Sequence, residues 1–266
     1  MKNYLLIVIV FFGINSCTKD KVDNSCHSPS LISQVKSGED FVNDLIYNNN
    51  CQIAEAVEPS MYKKYLYDSQ NRLIKMERAL SFNASFSCVA YPNSTIDSGS
   101  DPRQSKVTDY YDFEYDNTGK LTKRLSFFLN SGNAQLQFYQ FYTYINGNIV
   151  KSSEYSPQDR LTQYNNYEYD VSGNLIKTSN YRVELNGNIK LLHTVYYEYD
   201  DKINPFTIFN DTGEPGRFTN RNNITKETYV WHSEDKEYKN ESTTVYEYNN
   251  SGFPVKSNGL QYLYGK

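Results

Sequence analysis

Tyrosines and aliphatic residues alternate with polar residues along most of the chain, and this two-residue period predicts β-strands. One phrase recurs in the pattern: tyrosine, any residue, tyrosine, aspartate, a short turn, an apolar residue and lysine. The clearest copy occupies residues 167–177. Other copies occupy residues 65–75 and 113–123, and degenerate copies occupy residues 142–151, 197–206 and 246–256. Each copy predicts one β-hairpin, which needs its neighbours in order to bury its apolar face.

The turn of the clearest copy begins at Asp170, whose side chain can accept hydrogen bonds from amides ahead of it. A glycine at the fourth turn position supplies a positive φ, so we expect a hairpin with a bulge-type connection. We expect Tyr169 to pair with Leu175. We also expect Tyr167 to pair with Lys177, whose aliphatic stem would cover the tyrosine ring. The tyrosines would share one face of the sheet.

The copies predict an all-β fold: a single antiparallel β-meander of hairpin repeats, open or partly closed into a barrel-like sheet, from about residue 62 to residue 264. Two long gaps between copies, residues 79–106 and 201–222, are rich in loop-forming residues. Both are candidate binding loops, and tolerated insertions are the alternative. Residues 37–46 combine a capping box with apolar residues and predict one short N-terminal helix.

The N-terminus has a short positive region, an apolar stretch and then Cys17 directly after a small residue. This is the pattern of a secretory signal, and the apolar stretch is too short to span a bilayer as a helix. It resembles the lipobox of bacterial lipoproteins, which implies acylation of Cys17 with palmitate or related chains. Ordinary signal cleavage, with Cys17 in a disulfide, is the alternative. The predicted division is a signal peptide (1–16), a lipid-anchored tether (17–36) and a repeat domain (37–266).

The composition is rich in tyrosine, with 26 tyrosines and 14 phenylalanines. Tyrosine buries a large ring while its hydroxyl stays at a wet edge, so it can stabilise a thin, partly open sheet. The formal net charge is −4. Because the chain has no basic stripe, we do not expect nucleic acid as a partner.

The chain has four cysteines, and acylation of Cys17 would leave an odd number to form disulfides in an oxidising compartment. Cys51 lies before the first predicted strand and Cys88 lies beyond the first hairpin, so Cys51–Cys88 is the preferred disulfide. Cys26–Cys51 is the alternative. No CxxC motif or cysteine–histidine cluster occurs, so we expect neither a metal site nor a cofactor.

The sequence contains no nucleophile-elbow, zinc-protease, phosphate-loop or EF-hand motif. We therefore assign no catalytic residue and do not expect an enzyme. One glutamate in several copies lies between the two aromatics and predicts a carboxylate row on the face opposite the tyrosines, which is typical of a solvent face. Trp231 is the best candidate for stacking on a sugar ring, with core or edge packing as the alternative.

The repeated phrase resembles the tyrosine-aspartate (YD, or Rhs-type) repeats of secreted bacterial proteins. Together with the lipobox, it is similar to a family of Gram-negative envelope lipoproteins of unknown function whose repeats form an open, porin-like meander. Residues 199–206, 222–226 and 246–256 also resemble the C-terminal half of that family. The resemblance implies an outer-membrane lipoprotein facing the periplasm or the cell surface, and it carries no catalytic residue.

These observations favour a non-enzymatic binding or interaction module that reaches the membrane through its N-terminal lipid. Its expected ligand is a glycan, a peptide or another envelope protein. A purely structural surface protein is the first alternative. An envelope hydrolase that uses acidic residues is the second, and it requires carboxylates that converge in one cleft.

Overall fold

The structure is a computed structural model. It describes residues 30–38, 40–80, 103, 105–207, 213–233 and 236–265. The predicted signal peptide and the predictions on Cys17, Cys26 and Cys88 therefore lie outside the described residues.

The described chain folds into one antiparallel sheet of 17 strands, which confirms the predicted all-β meander. The strands are β1 (Ile32–Ser37), β2 (Asp40–Tyr47), β3 (Ile53–Glu58), β4 (Met61–Tyr67), β5 (Leu73–Leu80), β6 (Asp109–Tyr115), β7 (Leu121–Asn130), β8 (Asn133–Ile145), β9 (Asn148–Tyr155), β10 (Leu161–Tyr169), β11 (Leu175–Val183), β12 (Ile189–Ile203), β13 (Asn222–His232), β14 (Glu237–Thr243), β15 (Tyr246–Tyr248), β16 (Pro254–Ser257) and β17 (Leu260–Tyr264).

Most strands pair with the next strand in the chain, and β1 pairs with both β2 and β17. In the part of the chain that the structure describes, no ladder joins β14 to β15, so the sheet is not closed. The predicted N-terminal helix is wrong, because Asp40–Tyr47 forms strand β2. A two-residue alternation governs this segment, and the buried Leu45 and Tyr47 lie on one side of it. The sheet already begins at Ile32, inside the segment predicted as a tether.

The hairpin turns follow the predicted chemistry. Asp170 Oδ1 accepts hydrogen bonds from the amides of Ser172 at 2.8 Å and Asn174 at 2.9 Å, and Gly173 has a φ of 87°. The same side-chain-capped turn begins at Asn48, Asp68, Asp116 and Asn249. The first residue of each turn therefore sets the local geometry of its hairpin.

In the hairpin of β10 and β11, the pairing of the residues before Tyr169 is shifted by one residue from the predicted register. Tyr169 pairs with Leu175 as expected, but a bulge between Glu168 and Tyr169 shifts the rest of the strand. Lys177 is therefore opposite Glu168, not Tyr167, and its Nζ lies 2.8 Å from the Glu168 carboxylate. The predicted packing of Lys177 on Tyr167 is wrong, since the bulge places the lysine on the other face.

The degenerate copy at residues 142–151 uses a different connection. Asn146 and Gly147 have φ values of 51° and 86°, and the flanking Ile145 and Asn148 pair directly. A two-residue turn of this kind needs positive φ at both positions, which asparagine and glycine tolerate. This turn explains why Ile145 replaces the aspartate of the repeat.

The repeats are joined by tyrosine hydroxyls, which we call the tyrosine ladder. In each case, a tyrosine hydroxyl donates to a main-chain carbonyl at or near the first residue of an earlier strand. The pairs are Tyr47–Ile32 (2.5 Å), Tyr67–Ile53 (2.8 Å), Tyr115–Leu73 (2.8 Å), Tyr144–Leu121 (2.9 Å), Tyr169–Ile149 (2.8 Å), Tyr199–Leu175, Tyr246–Ile224 (3.0 Å) and Tyr264–Pro254 (2.7 Å). Burial raises the pKa of Tyr246 to about 12, so its hydroxyl remains a donor at neutral pH. The ladder gives the recurring tyrosine a structural role.

The two faces of the sheet differ in character. The inner face carries the tyrosine ladder and the hydrophobic core, which is built by strands β1–β7 and β17 together with Phe206. The outer face carries the predicted glutamate row: Glu114, Glu168, Glu198 and Glu247. Glu168, Glu198 and Glu247 form ion pairs with lysines of adjacent strands. All four glutamates are exposed, so the row is a solvent face.

Candidate functional site

The described part of the second long loop packs against the inner face of the sheet. Phe206 is buried and meets the Tyr262 ring edge-on, with 5.6 Å between the ring centroids. Asn220 is fully buried, and its Oδ1 accepts a hydrogen bond of 2.8 Å from the Leu175 amide. The candidate binding loop at residues 201–222 is therefore largely a structural segment where the structure describes it. The other predicted loop, residues 79–106, lies mostly outside the described residues.

Gly213 and Glu214 hold this loop against the sheet. A Cβ atom at Gly213 would lie 2.6 Å from Leu121 Cδ2 and 2.7 Å from the Tyr142 hydroxyl, and the φ of 74° favours glycine. The next residue, Glu214, forms an ion pair of 2.6 Å with the buried Arg124. This exposed carboxylate compensates a guanidinium that burial would otherwise make unfavourable.

A second feature of the inner face is an aromatic platform, formed by His193, Tyr229, Trp231 and Tyr238. Trp231 is 43% exposed and lies against Tyr229, with 4.0 Å between the ring centroids. Tyr229 in turn stacks on His193 at 4.7 Å. Trp231 pairs with His193 on one side and with Tyr238 on the other, so three strands contribute to the platform. Trp231 and Tyr238 are exposed, and the partly buried rings of Tyr229 and His193 extend the aromatic surface from Trp231.

A row of amides and hydroxyls borders the platform. Asn180 pairs with His193 in the sheet, and its Nδ2 donates to Asn165 Oδ1 at 2.8 Å. Asn165 Nδ2 donates to Ser152 Oγ at 3.4 Å, and that hydroxyl lies 2.9 Å from the Tyr167 hydroxyl. These polar groups lie on the inner face of β9–β11, beside the rings. Ser152 and Asn180 are buried, whereas Asn165 is partly exposed and can offer a hydrogen bond to a polar ligand that extends from the platform.

His193 and Tyr229 of the platform are both uncharged at physiological pH. Burial, together with the nearby His232, lowers the pKa of His193, so its imidazole is uncharged. Burial also raises the pKa of Tyr229, which keeps its hydroxyl protonated. An uncharged aromatic surface beside amides suits a neutral ligand that has both apolar faces and hydroxyl groups.

Sequence reasoning identified Trp231 but not its three neighbours. Nothing in the sequence links His193 to Trp231, and the structure brings the two together across the β12–β13 ladder. The signal in the sequence was the alternating aromatics of residues 229–231. It could be recognised only once the register with β12 was known.

The described residues contain no group of three or more histidine, cysteine, aspartate or glutamate side chains arranged to hold a metal ion. Cys51 is disulfide-bonded and lies at a turn position with a φ of 60°. Cys88 is outside the described residues, so the preferred Cys51–Cys88 pairing stays a prediction. The acylation of Cys17 stays a prediction for the same reason.

No protein-family model matches the chain, and no curated protein matches it. A porin-like protein from Bacteroides vulgatus ATCC 8482 aligns over 88% of this chain and 98% of its own, with 13% identity and a TM-score of 0.51. A porin-like protein from Bacteroides uniformis ATCC 8492 aligns over 90% and 98%, with 13% identity and a TM-score of 0.41. The Photorhabdus luminescens Tc holotoxin pore aligns over 82% of this chain and 12% of its own, with 13% identity and a TM-score of 0.27.

At this low identity, the likeness to the Bacteroides vulgatus protein shows the fold alone. It confirms the β-meander that the repeat resemblance implied, and it assigns no activity. Where the chain is described, no helix has both the length and the apolar character needed to cross a bilayer.

Proposed function

We propose that the protein is a lipid-anchored binding module of the Gram-negative cell envelope, and that its ligand is a neutral glycan. The observation that carries the proposal is the aromatic platform, with the half-exposed Trp231 packed against Tyr229 at an angle of 39° between the ring planes. The secretory signal and the lipobox cysteine Cys17 support the location, because acyl chains would hold the domain at a membrane. The proposed role is binding without catalysis.

The geometry fits a sugar ring for two physical reasons. The apolar C–H face of a pyranose can stack on the exposed indole of Trp231, which removes apolar surface of both partners from water. Sugar residues further along the same glycan chain can then reach the partly exposed amide of Asn165, which lies three strands from Trp231 on the same face. Stacking supplies affinity and the amide supplies orientation, which is the usual division of roles in a ligand site.

A glycan array tests the proposal. The protein for this test is the secreted Cys17→Ser variant of the full chain, which lacks the acylation site. We expect saturable binding to at least one neutral glycan. Trp231→Ala should weaken that binding by about tenfold, the loss expected for about 1.4 kcal/mol of stacking energy.

Tyr196→Ala is the matched control. Tyr196 is an aromatic of similar exposure, 46% against 43% for Trp231, but it lies on the outer face. Its removal should leave glycan binding unchanged. Equal losses in both variants would contradict a role for the platform. If the parent protein bound no glycan, the glycan proposal would be wrong and a structural role would gain support.

A further inference from the structure

A cavity of about 320 Å³ lies between the second long loop and the inner face of the first strands. It shares no lining residue with the aromatic platform. Its apolar wall includes Val35, Leu45, Ala56, Met76, Phe218 and Leu260. A cavity of this size is within the range that holds small ligands.

Four cationic side chains line the same cavity: Lys63, Arg78, Arg124 and Arg217. Three of them have a carboxylate partner. Lys63 pairs with Glu58 at 2.6 Å, Arg124 pairs with Glu214 at 2.6 Å, and Arg78 pairs with Asp109. These three pairs leave no net charge on the cavity wall.

Arg217 is the fourth cation, and it differs from the others. Its guanidinium carbon lies 4.2 Å from the centroid of the Phe206 ring. Among the described residues, no carboxylate forms an ion pair with Arg217. The side chain is exposed, and it gives the cavity lining one positive charge in excess.

We propose that this cavity binds a monoanionic amphiphile, with a carboxylate or phosphate head at Arg217 and an apolar chain along the wall. A guanidinium forms two parallel hydrogen bonds with either kind of oxyanion. The apolar wall contributes by removing the chain from water, in proportion to the area buried. A cationic amphiphile would be repelled by Arg217, and a neutral one would gain only the apolar contribution.

Calorimetric titration of the secreted Cys17→Ser variant with matched ligands near neutral pH tests this assignment. We expect saturable binding of octanoate, binding of 1-octanol about tenfold weaker, and no binding of octylammonium. Acetate, which has the head without the chain, should not bind. Equal affinity for octanoate and 1-octanol, or no binding of octanoate below its micellar concentration, would overturn the proposal.

Cosedimentation with vesicles distinguishes the two sources of such a ligand. Binding to phosphatidylcholine vesicles that contain phosphatidylglycerol, abolished by excess octanoate, would indicate a membrane lipid. Binding of octanoate without cosedimentation would indicate a free amphiphile. Both outcomes support the site.

Arg217→Gln should weaken octanoate binding by about tenfold, because the charge-assisted hydrogen bonds are lost. Arg160→Gln is the matched control, since Arg160 is an exposed arginine on a turn away from the cavity. Both arginines are exposed, so neither change should unfold the protein, and far-ultraviolet circular dichroism checks this. Equal affinities of the two variants would contradict the role of Arg217. The test uses neither the platform nor a glycan, so its failure is distinguishable from failure of the proposed function.

Discussion

The inner face of the sheet has two different halves, although the same hairpin repeat builds both. In the first half, β1–β7 and β17, the inner positions carry aliphatic and aromatic residues such as Met76 and Phe113, and they form the core with Phe206. In the second half, β8–β14, the inner positions carry Ser152, Asn180 and the aromatic platform. The turns and the tyrosine ladder are common to both. The repeat therefore specifies the sheet, and the remaining inner positions decide whether a region is an apolar core, as in the first half, or a polar and aromatic face, as in the second.

The largest expected difference between the halves is in stability. Met76→Ala removes a buried apolar side chain of the first half and should lower the free energy of unfolding by about 3 kcal/mol. Asn180→Ala, at a buried polar position of the second half, should cost about 1 kcal/mol through the lost hydrogen bond to Asn165. Urea denaturation measures both values. Equal losses would show that the polar half contributes to stability as a core does.

A smaller effect separates the second long loop from the hairpin turns. Gly213→Ala and Gly252→Ala both place a side chain at positive φ, but only Gly213 has neighbours where the Cβ atom would lie. We expect Gly213→Ala to be the more destabilising by about 2 kcal/mol, the overpacking cost at Leu121 and Tyr142. The difference between the two urea midpoints gives this number. A vanishing difference would mean that the loop moves away from the sheet at little cost.

The smallest expected effect is a pH dependence of stability near neutrality, which we assign to His193 of the second half. Because the pKa of His193 is lowered in the folded state, the native protein binds fewer protons than the unfolded chain as the pH falls. The contribution of His193 to stability is therefore complete above the unfolded value of about 6.5 and decreases as the pH falls towards the lowered pKa. As the pH falls from about 6.5 towards the lowered pKa of His193, the difference in urea midpoint between the parent protein and His193→Gln should become smaller. A difference in urea midpoint that is independent of pH would show that burial of the His193 imidazole does not make the stability depend on pH.

Much of the fold could be predicted from the sequence because the decisive interactions are local. Asp170 and Gly173 determine their turn within five residues, and the alternation around them determines which side chains face inward. The same turn at residues 48–52 was not recognised, because Asn48 and Cys51 replace the aspartate and the glycine. Strand β2 was therefore interpreted as a helix.

The candidate sites depend on interactions between distant residues, so the sequence predicted less of them. Trp231 was identified as a single exposed aromatic, but its contact with His193 requires the register of a ladder between strands that are separated by the second long loop. The sequence also did not predict that the second long loop packs against the inner face of the sheet. The position of the loop depends on the ion pair between Glu214 and Arg124 and on the hydrogen bond from the Leu175 amide to Asn220. Neither interaction is part of the repeated sequence pattern.

Strand β1 has a consequence for the order in which the sheet assembles. Its ladder with β17 joins residues at the two ends of the described chain, and the Ser33 hydroxyl donates to the carbonyl of Leu263, 230 residues away. Each hairpin can form soon after it is synthesised, since its two strands are close in sequence, whereas contacts this distant form slowly. Until β17 exists, β1 presents an unpaired edge to other chains. Among the described strands, the one that is synthesised last is therefore the one that protects β1.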